Sequence, residues 1–423
     1  MEYKKRIVDE LLELQLEAAG IVLIEGPKWC GKTTTALQQA KSVVYMDDPI
    51  HKNEYLRLAE TDIYRLLDGA TPRLIDEWQK ALSIWDACRF VVDRRSEEGQ
   101  FLLTGSTQPV NQSQLGHTGT GRVAWVRMRP MSLYESGESN GTLSLKQLFD
   151  QKFQSVESTN FSLEELCYLV CRGGWPKCIG KSPRAALQQA YNYVDAVATR
   201  EITEVDAVER SEVNTRKLLR SYARHQATQA TIASIAADLS ANEDKPLSDK
   251  TIMSYLNALR KVFVIEDMPA WNPNLRSKAA IRTTDTRYFI DPSIATAALG
   301  LGPKDLLNDL NTLGMLFETM AVRDLRIYAE AIDGNVFHYR DNNGLECDSV
   351  LHLRNGQYGL IEIKLGGETW IEEGAKNLCL LASKLDTTKM KAPSFMMVLT
   401  GVGQYAYRRE DGVYVVPIGC LKP

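Results

Sequence analysis

The stretch that decides the fold of the first third of the chain is Gly26-Pro27-Lys28-Trp29-Cys30-Gly31-Lys32-Thr33, a complete match to the pattern GxxxxGK[ST]. It follows the apolar run 21–24 and leads into residues 34–40, whose composition predicts a helix. A strand, a glycine-bounded loop and a helix form the context of a phosphate-binding loop, because backbone N–H groups and the positive helix end then face a polyphosphate. The alternative is a glycine turn without a ligand, and both flanks argue against it.

This motif predicts that the chain binds ATP together with Mg²⁺. Lys32 is expected to reach the β- and γ-phosphates, and the hydroxyl of Thr33 is expected to bind Mg²⁺. The expected nucleotide contacts are the loop residues and the one that follows them: Gly26, Pro27, Lys28, Trp29, Cys30, Gly31, Lys32, Thr33 and Thr34.

Two later strands end in polar residues that suit the same site. Residues 73–77 form an apolar strand ending in Asp76 and Glu77, which predicts that Asp76 helps to hold Mg²⁺ and that Glu77 polarises the attacking water. Residues 101–107 end in Ser106 and Thr107, either of which can sense the γ-phosphate or orient water. A solvated acidic turn and a plain Gly-Ser turn are the structural alternatives.

Composition narrows the class of protein. The 423 residues suffice for two or three domains, and the net charge of −4 gives no overall attraction to nucleic acid or membranes. The eight cysteines are scattered; only Cys167 and Cys171 are close, and no second pair completes a metal site. Since we find neither a signal-peptide pattern nor an apolar run long enough to span a membrane, we expect a cytoplasmic protein without membrane association.

A set of short segments resembles the signature of a large bacterial and archaeal family. The segments are Leu74-Ile75-Asp76-Glu77-Trp78-Gln79-Lys80, Val92-Asp93, Leu103-Thr104-Gly105-Ser106, Gly121-Arg122-Val123, Arg129-Pro130-Met131-Ser132 and Gly173-Gly174-Trp175-Pro176. Members of that family are predicted AAA-type ATPases with a C-terminal domain of uncharacterised function. The resemblance covers nearly the whole chain and implies an ATP-binding AAA-type core, with Lys32, Thr33, Asp76 and Glu77 in the phosphate, Mg²⁺ and water roles.

Arg122 matches the Gly-Arg position of that family. The resemblance suggests that it stabilises charge in the transition state, as arginines supplied in trans do. The alternative is that Arg122 only packs against acidic side chains.

The pattern along the chain predicts an α/β protein with four parts. Residues 1–150 are expected to form an AAA-type P-loop ATPase domain with a parallel sheet and flanking helices, and 151–210 a helical connector. Residues 211–300 are expected to form a winged-helix-like segment, and 301–423 an α/β domain resembling PD-(D/E)xK nucleases.

The middle segment has the order helix, turn, helix, strand. Apolar residues recur at helical spacing in 232–239, Ser248 is a suitable N-cap for 249–261, and the apolar run 262–265 predicts a strand. The outer face of the second helix carries residues suited to phosphates or base edges: Lys250, Ser254, Asn257, Arg260 and Lys261. Because Glu243, Asp244 and Asp249 oppose DNA, a solvated face on an interaction module is the favoured alternative.

The C-terminal part contains a D…ExK pattern across two expected strands. Glu362 and Lys364 are two residues apart and so project from one face of a strand, with Asp348 on the preceding strand. By resemblance to PD-(D/E)xK nucleases, Asp348 and Glu362 would bind Mg²⁺ and Lys364 would assist the attacking water, with Glu318 as a fourth group. A degenerate copy that keeps the acids for structure is the alternative.

These observations predict an ATP-binding AAA-type ATPase whose nucleotide state is coupled to a C-terminal module. The expected partners are ATP and either DNA or a protein. Two rival functions are a non-catalytic regulatory scaffold switched by ATP and an ATP-gated, metal-dependent DNA nuclease.

Overall fold

The computed structural model of the chain describes residues 3–106, 121–206, 208–240, 247–272, 284–388 and 390–423. They group into two compact units. The first unit comprises Met1–Pro130, Arg200–Glu209 and Asn257–Val264, and the second comprises the remaining segments: Met131–Thr199, Arg210–Leu256 and Ile265–Pro423. The four-part division stays a prediction.

A parallel five-stranded sheet forms the core of the first unit. Its strands are β1 (Ile21–Glu25), β2 (Ser42–Tyr45), β3 (Arg73–Asp76), β4 (Phe101–Gly105) and β5 (Val123–Arg127), in the order β2-β3-β4-β1-β5. All pairs in the sheet are parallel, and every residue of β1 and β4 is buried. The sequence predicts the first four strands, and these are confirmed; β5 was not predicted.

Helices pack on both faces of this sheet. Ile21 and Leu23 enter one hydrophobic cluster, whereas Val22 and Ile24 enter another, so successive residues of β1 fill opposite faces. The helices of this part of the chain are α1 (Val8–Ala18), α2 (Lys32–Ala36), α3 (Lys52–Thr61), α4 (Ile63–Leu67) and α5 (Ser83–Arg95), with a 3-10 turn at Trp78–Lys80. Since both faces are covered, polar groups at the carboxyl edge are free to form a site.

Helices dominate the chain from 131 to 330. They are α6 (Leu133–Ser136), α7 (Leu145–Phe149), α8 (Leu163–Arg172), α9 (Pro183–Ala196), α10 (Ile202–Glu204), α11 (Glu212–Arg224), α12 (Ile232–Ser240), α13 (Asp249–Lys261), α14 (Pro292–Leu299), α15 (Pro303–Asn308) and α16 (Leu310–Glu330). A 3-10 turn at Pro176–Cys178 and a π-helix at Val197–Glu201 lie between them. Ser248 caps α13 as predicted, since its hydroxyl accepts from the Thr251 N–H.

The strand predicted at 262–265 is wrong. The chain turns directly after α13, where Phe263 adopts a φ of 57°, and only Ile265 makes an isolated bridge to Phe289. All four residues are buried, so their apolar character reflects packing rather than sheet pairing. The helix-turn-helix-strand order expected here is therefore incomplete.

A seven-stranded mixed sheet lies in the second unit. It contains β7 (Val156–Glu157), β8 (Gly334–Arg340), β9 (Glu346–Leu353), β10 (Tyr358–Lys364), β11 (Phe395–Thr400), β12 (Tyr405–Arg408) and β13 (Tyr414–Pro417), in the order β7-β12-β13-β11-β10-β9-β8. Helix α17 (Glu368–Lys384) connects β10 to β11, which pair in parallel, whereas β9 and β10 form an antiparallel hairpin. A separate pair joins β6 (Leu143–Ser144) to β14 (Leu421–Lys422).

A buried arginine ties together two of the family-like motifs. Arg323 on α16 is 1% exposed and pairs with Asp291 at 2.8 Å and Asp324 at 2.7 Å. Asp291 accepts a hydrogen bond from the Gly174 N–H, and Asp324 accepts one from the Leu133 N–H. Gly174 belongs to the Gly173–Pro176 motif, and Leu133 directly follows the Arg129–Ser132 motif. Both motifs therefore have a structural role at this buried ion-pair network, which we call the Arg323 hub, and this role needs no ligand.

Among the helices that the structure describes, none is both long and apolar enough to cross a membrane.

Candidate functional site

Glycines give the phosphate loop its shape. Gly31 caps α2 with a φ of 103°, in the left-handed region that favours glycine. Gly26 has a φ of 153°, and a Cβ there would lie 2.0 Å from the carbonyl oxygen of Met128. Side chains are therefore excluded at both ends of the loop, as a backbone cradle for phosphate requires.

Lys32 points back into the loop. Its amino group donates to the carbonyl oxygens of Gly26 and Pro27, each at 2.9 Å, and the side chain is buried. Both of these hydrogen-bond acceptors are neutral, and a phosphate oxygen would give the buried ammonium an anionic acceptor.

Thr33 and Asp76 meet across the gap between α2 and β3. The Thr33 hydroxyl donates to Oδ1 of Asp76 at 2.7 Å, and the Thr104 hydroxyl donates to the same oxygen at 2.6 Å. A hydroxyl and a carboxylate are oxygen donors of the kind that Mg²⁺ prefers, so the donor set fits that ion. Thr104 was not predicted as a site residue, although its in-register pairing with Asp76 in adjacent strands explains the contact.

Glu77 is held by two neighbouring side chains. Its backbone has a φ of 56°, and its carboxylate accepts from the Ser106 hydroxyl, 3.3 Å from each oxygen, and from the Gln79 side-chain amide. Gln79 was missed at the sequence level because it lies three residues past β3. The carboxylate and hydroxyl expected to handle water are therefore adjacent, whereas Thr107 lies outside the described residues.

The other loop residues differ in what they can offer a ligand. Lys28 forms a 2.6 Å ion pair with Glu201, in a later segment of the same unit. Trp29 is partly exposed and Thr34 is exposed. The Cys30 thiol is buried and donates to the Met128 carbonyl, so Cys30 can contribute only its backbone.

Arg122 lies at the amino ends of the strands, opposite the end of β1 that the phosphate loop follows. It precedes β5, its carbonyl accepts from the Ile21 N–H at the start of β1, and its side chain pairs with Asp93 at 2.6 Å. The loop follows the other end of β1, about 13 Å away along the strand. The alternative of packing against an acid describes this arrangement, and a catalytic role for Arg122 stays a prediction.

Arg127 lies at the carboxyl end of β5, on the same side of the sheet as the phosphate loop. It pairs in register with Glu25, the residue before the loop, and its guanidinium lies 5.3 Å from the ring centre of Phe263. Burial raises the pKa of Glu25, and the charges of Arg127 and Lys32 oppose that increase. Arg127 was missed because recognising it requires knowing that β5 is a parallel strand next to β1.

The second unit gathers the D…ExK residues as the sequence predicts. The Lys364 amino group is 2.8 Å from Glu362 and 3.6 Å from Asp348. Asp348 also accepts from the Ile363 N–H at 2.7 Å. Burial and the neighbouring Asp348 raise the pKa of Glu362 to about 8, against the opposing effect of Lys364.

Glu318 joins this cluster from α16. It accepts a hydrogen bond from the Tyr288 hydroxyl, and burial and the charge of Asp348 hold its pKa well above the usual range. We call Glu318, Asp348, Glu362 and Lys364 the acid–lysine cluster. Within the described parts of the chain, no three His, Cys, Asp or Glu side chains form a group that could hold a metal ion. The three acids of the acid–lysine cluster therefore do not form such a group in the described structure.

The proposed DNA-facing helix keeps its apolar side inward. Ile252, Leu256 and Leu259 of α13 are buried, and Lys250 and Asn257 are exposed. The remaining predicted residues are partly exposed, while Glu243 and Asp244 lie outside the described residues.

Three family models match separate parts of the chain. Residues 18–137 match an AAA domain. Residues 163–305 and 313–421 match two domains of unknown function, DUF8612 and DUF4143.

Similar proteins exist in mycobacteria. Uncharacterised proteins of Mycobacterium tuberculosis (strain ATCC 25618 / H37Rv) and Mycobacterium bovis (strain ATCC BAA-935 / AF2122/97) are each 22% identical over 367 residues, which is 86% of this chain and 74% of the relative. Among solved structures, the Walker-type ATPase paby2304 of Pyrococcus abyssi aligns with 13% identity and a TM-score of 0.42, over 69% of this chain and 94% of that one. The AAA domain match, on the residues that form the phosphate loop and its parallel sheet, supports an AAA-type P-loop ATPase with an uncharacterised C-terminal domain.

Proposed function

We propose that this protein is a Mg²⁺-dependent ATPase whose nucleotide state is communicated to its C-terminal half. The observation that carries the proposal is the Thr33–Asp76 hydrogen bond, since it joins the end of the phosphate loop to the acidic end of β3. Together with the AAA domain match, it supports one site made from strands that are distant in sequence.

Each residue has a distinct task in this proposal. Lys32 would exchange its two carbonyl partners for phosphate oxygens. Thr33 and Asp76 would hold Mg²⁺, which would screen phosphate charge. Glu77 accepts a hydrogen bond from the attacking water, oriented by Ser106 and Gln79. Arg122 acts, if it takes part, on a nucleotide bound by another chain.

Two contacts within the first unit suit the communication step. Lys28 of the loop pairs with Glu201, and Arg127 at the edge of the sheet contacts Phe263. Both partners belong to the segments that return to this unit from later in the chain. A triphosphate attracts Lys28 and Arg127 and so competes with both contacts.

The ATPase proposal is tested by phosphate release from the full-length protein with and without Mg²⁺. We expect Mg²⁺-dependent release by the wild type and a loss on the order of 100-fold in Lys32→Ala. Lys41→Ala, an exposed lysine after α2, is the matched control and should behave as the wild type. ATP binding without release by the wild type would instead favour the scaffold switched by ATP.

A second candidate function is cleavage of DNA by the acid–lysine cluster. It is supported by the juxtaposition of Asp348, Glu362 and Lys364, which is the arrangement that the D…ExK pattern predicts. Asp348 and Glu362 would hold the metal, which activates water when bound, and Lys364 would stabilise the developing negative charge. In this proposal the protein is cytoplasmic. The exposed side of α13 faces the DNA.

The nuclease proposal is tested on plasmid DNA with Mg²⁺ or Mn²⁺. The double variant Glu362→Ala/Lys364→Ala should abolish nicking, while Lys32→Ala should leave an ungated nuclease active or remove its dependence on ATP. Equal cleavage by the wild type and the double variant would identify a contaminant and reject this function.

A further inference from the structure

The linings of two cavities in the second unit share Glu318 of the acid–lysine cluster. The larger, about 600 Å³, is lined by Glu318 and Lys364 and by Leu310, Gly314 and Trp370. Trp370 is 58% exposed and Leu310 is 49% exposed, and a Cβ added to Gly314 would meet nothing within 4 Å. The lining of this cavity therefore combines an exposed tryptophan with a lysine.

The smaller cavity, about 240 Å³, has a polar lining. It includes Glu318 and Asp348 from the cluster, together with Arg340 and Gln229. The Nε of Arg340 and the Oε1 of Gln229 are buried and lack a hydrogen-bond partner among the described residues, although Arg340 also pairs with Glu346 at 3.4 Å. An unpaired guanidinium N–H is a donor suited to a phosphate oxygen.

Glu318 lines both cavities, with Asp348 facing one of them and Lys364 the other. A linear ligand that occupied both cavities would lie against Glu318, the residue that their linings share. The ligand suited to this path has flat apolar groups, to stack on Trp370, and regularly spaced anionic groups, for Arg340 and Lys364. Nucleic acid strands have that chemistry, and a base offers its face only when it is not paired within a duplex.

We propose that the second unit binds single-stranded nucleic acid, with one unpaired base stacked on Trp370 and a phosphate of the same strand at Arg340. The strand then crosses the acid–lysine cluster between these two points. The inference deepens the second candidate function, on which it rests for the class of ligand, and is independent of ATP hydrolysis. Since the chain carries a net charge of −4, stacking supplies an attraction that overall charge does not.

The test is fluorescence anisotropy of a labelled oligothymidylate and of a blunt duplex with full-length protein in EDTA, which prevents metal-dependent cleavage. The wild type should prefer the single strand. Trp370→Ala should weaken single-strand binding by about 5- to 150-fold, and Trp370→Phe should retain most of it. Trp125→Ala, which removes another exposed tryptophan from the first unit, should have no effect.

The outcomes separate the inference from the function on which it rests. Equal single-strand affinity for the wild type and Trp370→Ala overturns the inference, even where Glu362 and Lys364 prove necessary for nicking. A wild type that binds neither oligonucleotide rejects the inference, whereas the nuclease function is decided separately by the plasmid assay with Mg²⁺ or Mn²⁺. Restoration of binding in Trp370→Phe excludes misfolding as the reason for a loss in Trp370→Ala, and Arg340→Gln should reduce the salt dependence of binding.

Discussion

The hydroxyl of Thr33 lies 2.7 Å from Oδ1 of Asp76, a bond that connects the phosphate loop to the end of β3. The two residues are 43 positions apart, and the parallel sheet brings them together. If this pair holds Mg²⁺, substitution of either residue should change the Mg²⁺ concentration that phosphate release requires more than it changes the stability of the fold.

Asp76→Asn should raise the Mg²⁺ concentration needed for phosphate release and lower maximal release by at least about tenfold, because an amide is a weaker ligand for a hard cation. A Mg²⁺ titration of phosphate release measures both effects. Asp93→Asn is the matched control, since Asp93 pairs with Arg122 at the opposite edge of the sheet. Identical titrations for the two variants would contradict the assignment of Asp76.

Arg122→Ala should leave the affinity for ATP unchanged, because Arg122 lies about a strand length from the phosphate loop of its own chain. Calorimetry at low protein concentration measures this affinity. A loss of turnover that appears only at high protein concentration would be expected from an arginine acting in trans. Weaker ATP binding by the variant at low protein concentration would contradict the separation of Arg122 from the phosphate loop of its own chain.

Glu201→Gln should tighten ATP binding, by up to about fivefold, because the Lys28–Glu201 ion pair competes with phosphate for the same ammonium. Equilibrium binding of ATP measures the change. Glu204→Gln, an exposed glutamate one helical turn further on, should bind ATP as the wild type does. Unchanged or weaker binding by Glu201→Gln would reject the competition.

Arg323→Met should destabilise the second unit by about 3–5 kcal/mol near neutral pH, because two buried carboxylates lose their cation. Urea unfolding measures the loss. Arg354→Met, which breaks an exposed pair with Asp333, should leave the midpoint unchanged. A similar midpoint for Arg323→Met would remove the structural role given to this hub.

The loss in Arg323→Met should also grow with pH. Burial raises the pKa of Asp324 to about 6, even though Arg323 opposes the increase. The pKa of this carboxyl group is higher in the folded state than in the unfolded state, where it is about 3.9. The folded state therefore loses stability as pH rises from about 3.9 towards the folded pKa. Without the arginine the folded pKa rises further, so the deficit should be smaller at pH 5 than at pH 8. An opposite trend would contradict a buried, uncompensated Asp324.

The strand-end residues of the candidate nucleotide site were predictable because each lies at the end of a short apolar run. Asp76 and Ser106 follow buried strands, and parallel pairing brings those ends to one edge. The acid–lysine cluster was predictable for a similar reason, since Glu362 and Lys364 alternate on a single strand beside Asp348.

The errors have physical causes as well. β5 is an edge strand with Trp125 exposed, so its apolar pattern is weak, and without it the position of Arg122 could not be known. The run 262–265 looks like a strand because it is apolar, yet it is a buried turn at Phe263. The cavities beside Trp370 and Arg340 depend on the packing of α16 and the sheet, which local sequence does not encode.

The most direct test of the ATPase assignment compares the wild type with Glu77→Gln, in which the carboxylate that accepts from Ser106 becomes an amide. Single-turnover measurements with Mg²⁺ and radiolabelled ATP give nucleotide binding and phosphate release in one experiment. We predict that both proteins bind ATP and that release by Glu77→Gln falls by a factor on the order of 100. Equal, negligible release by both proteins would contradict the account and favour a scaffold that binds ATP without hydrolysing it.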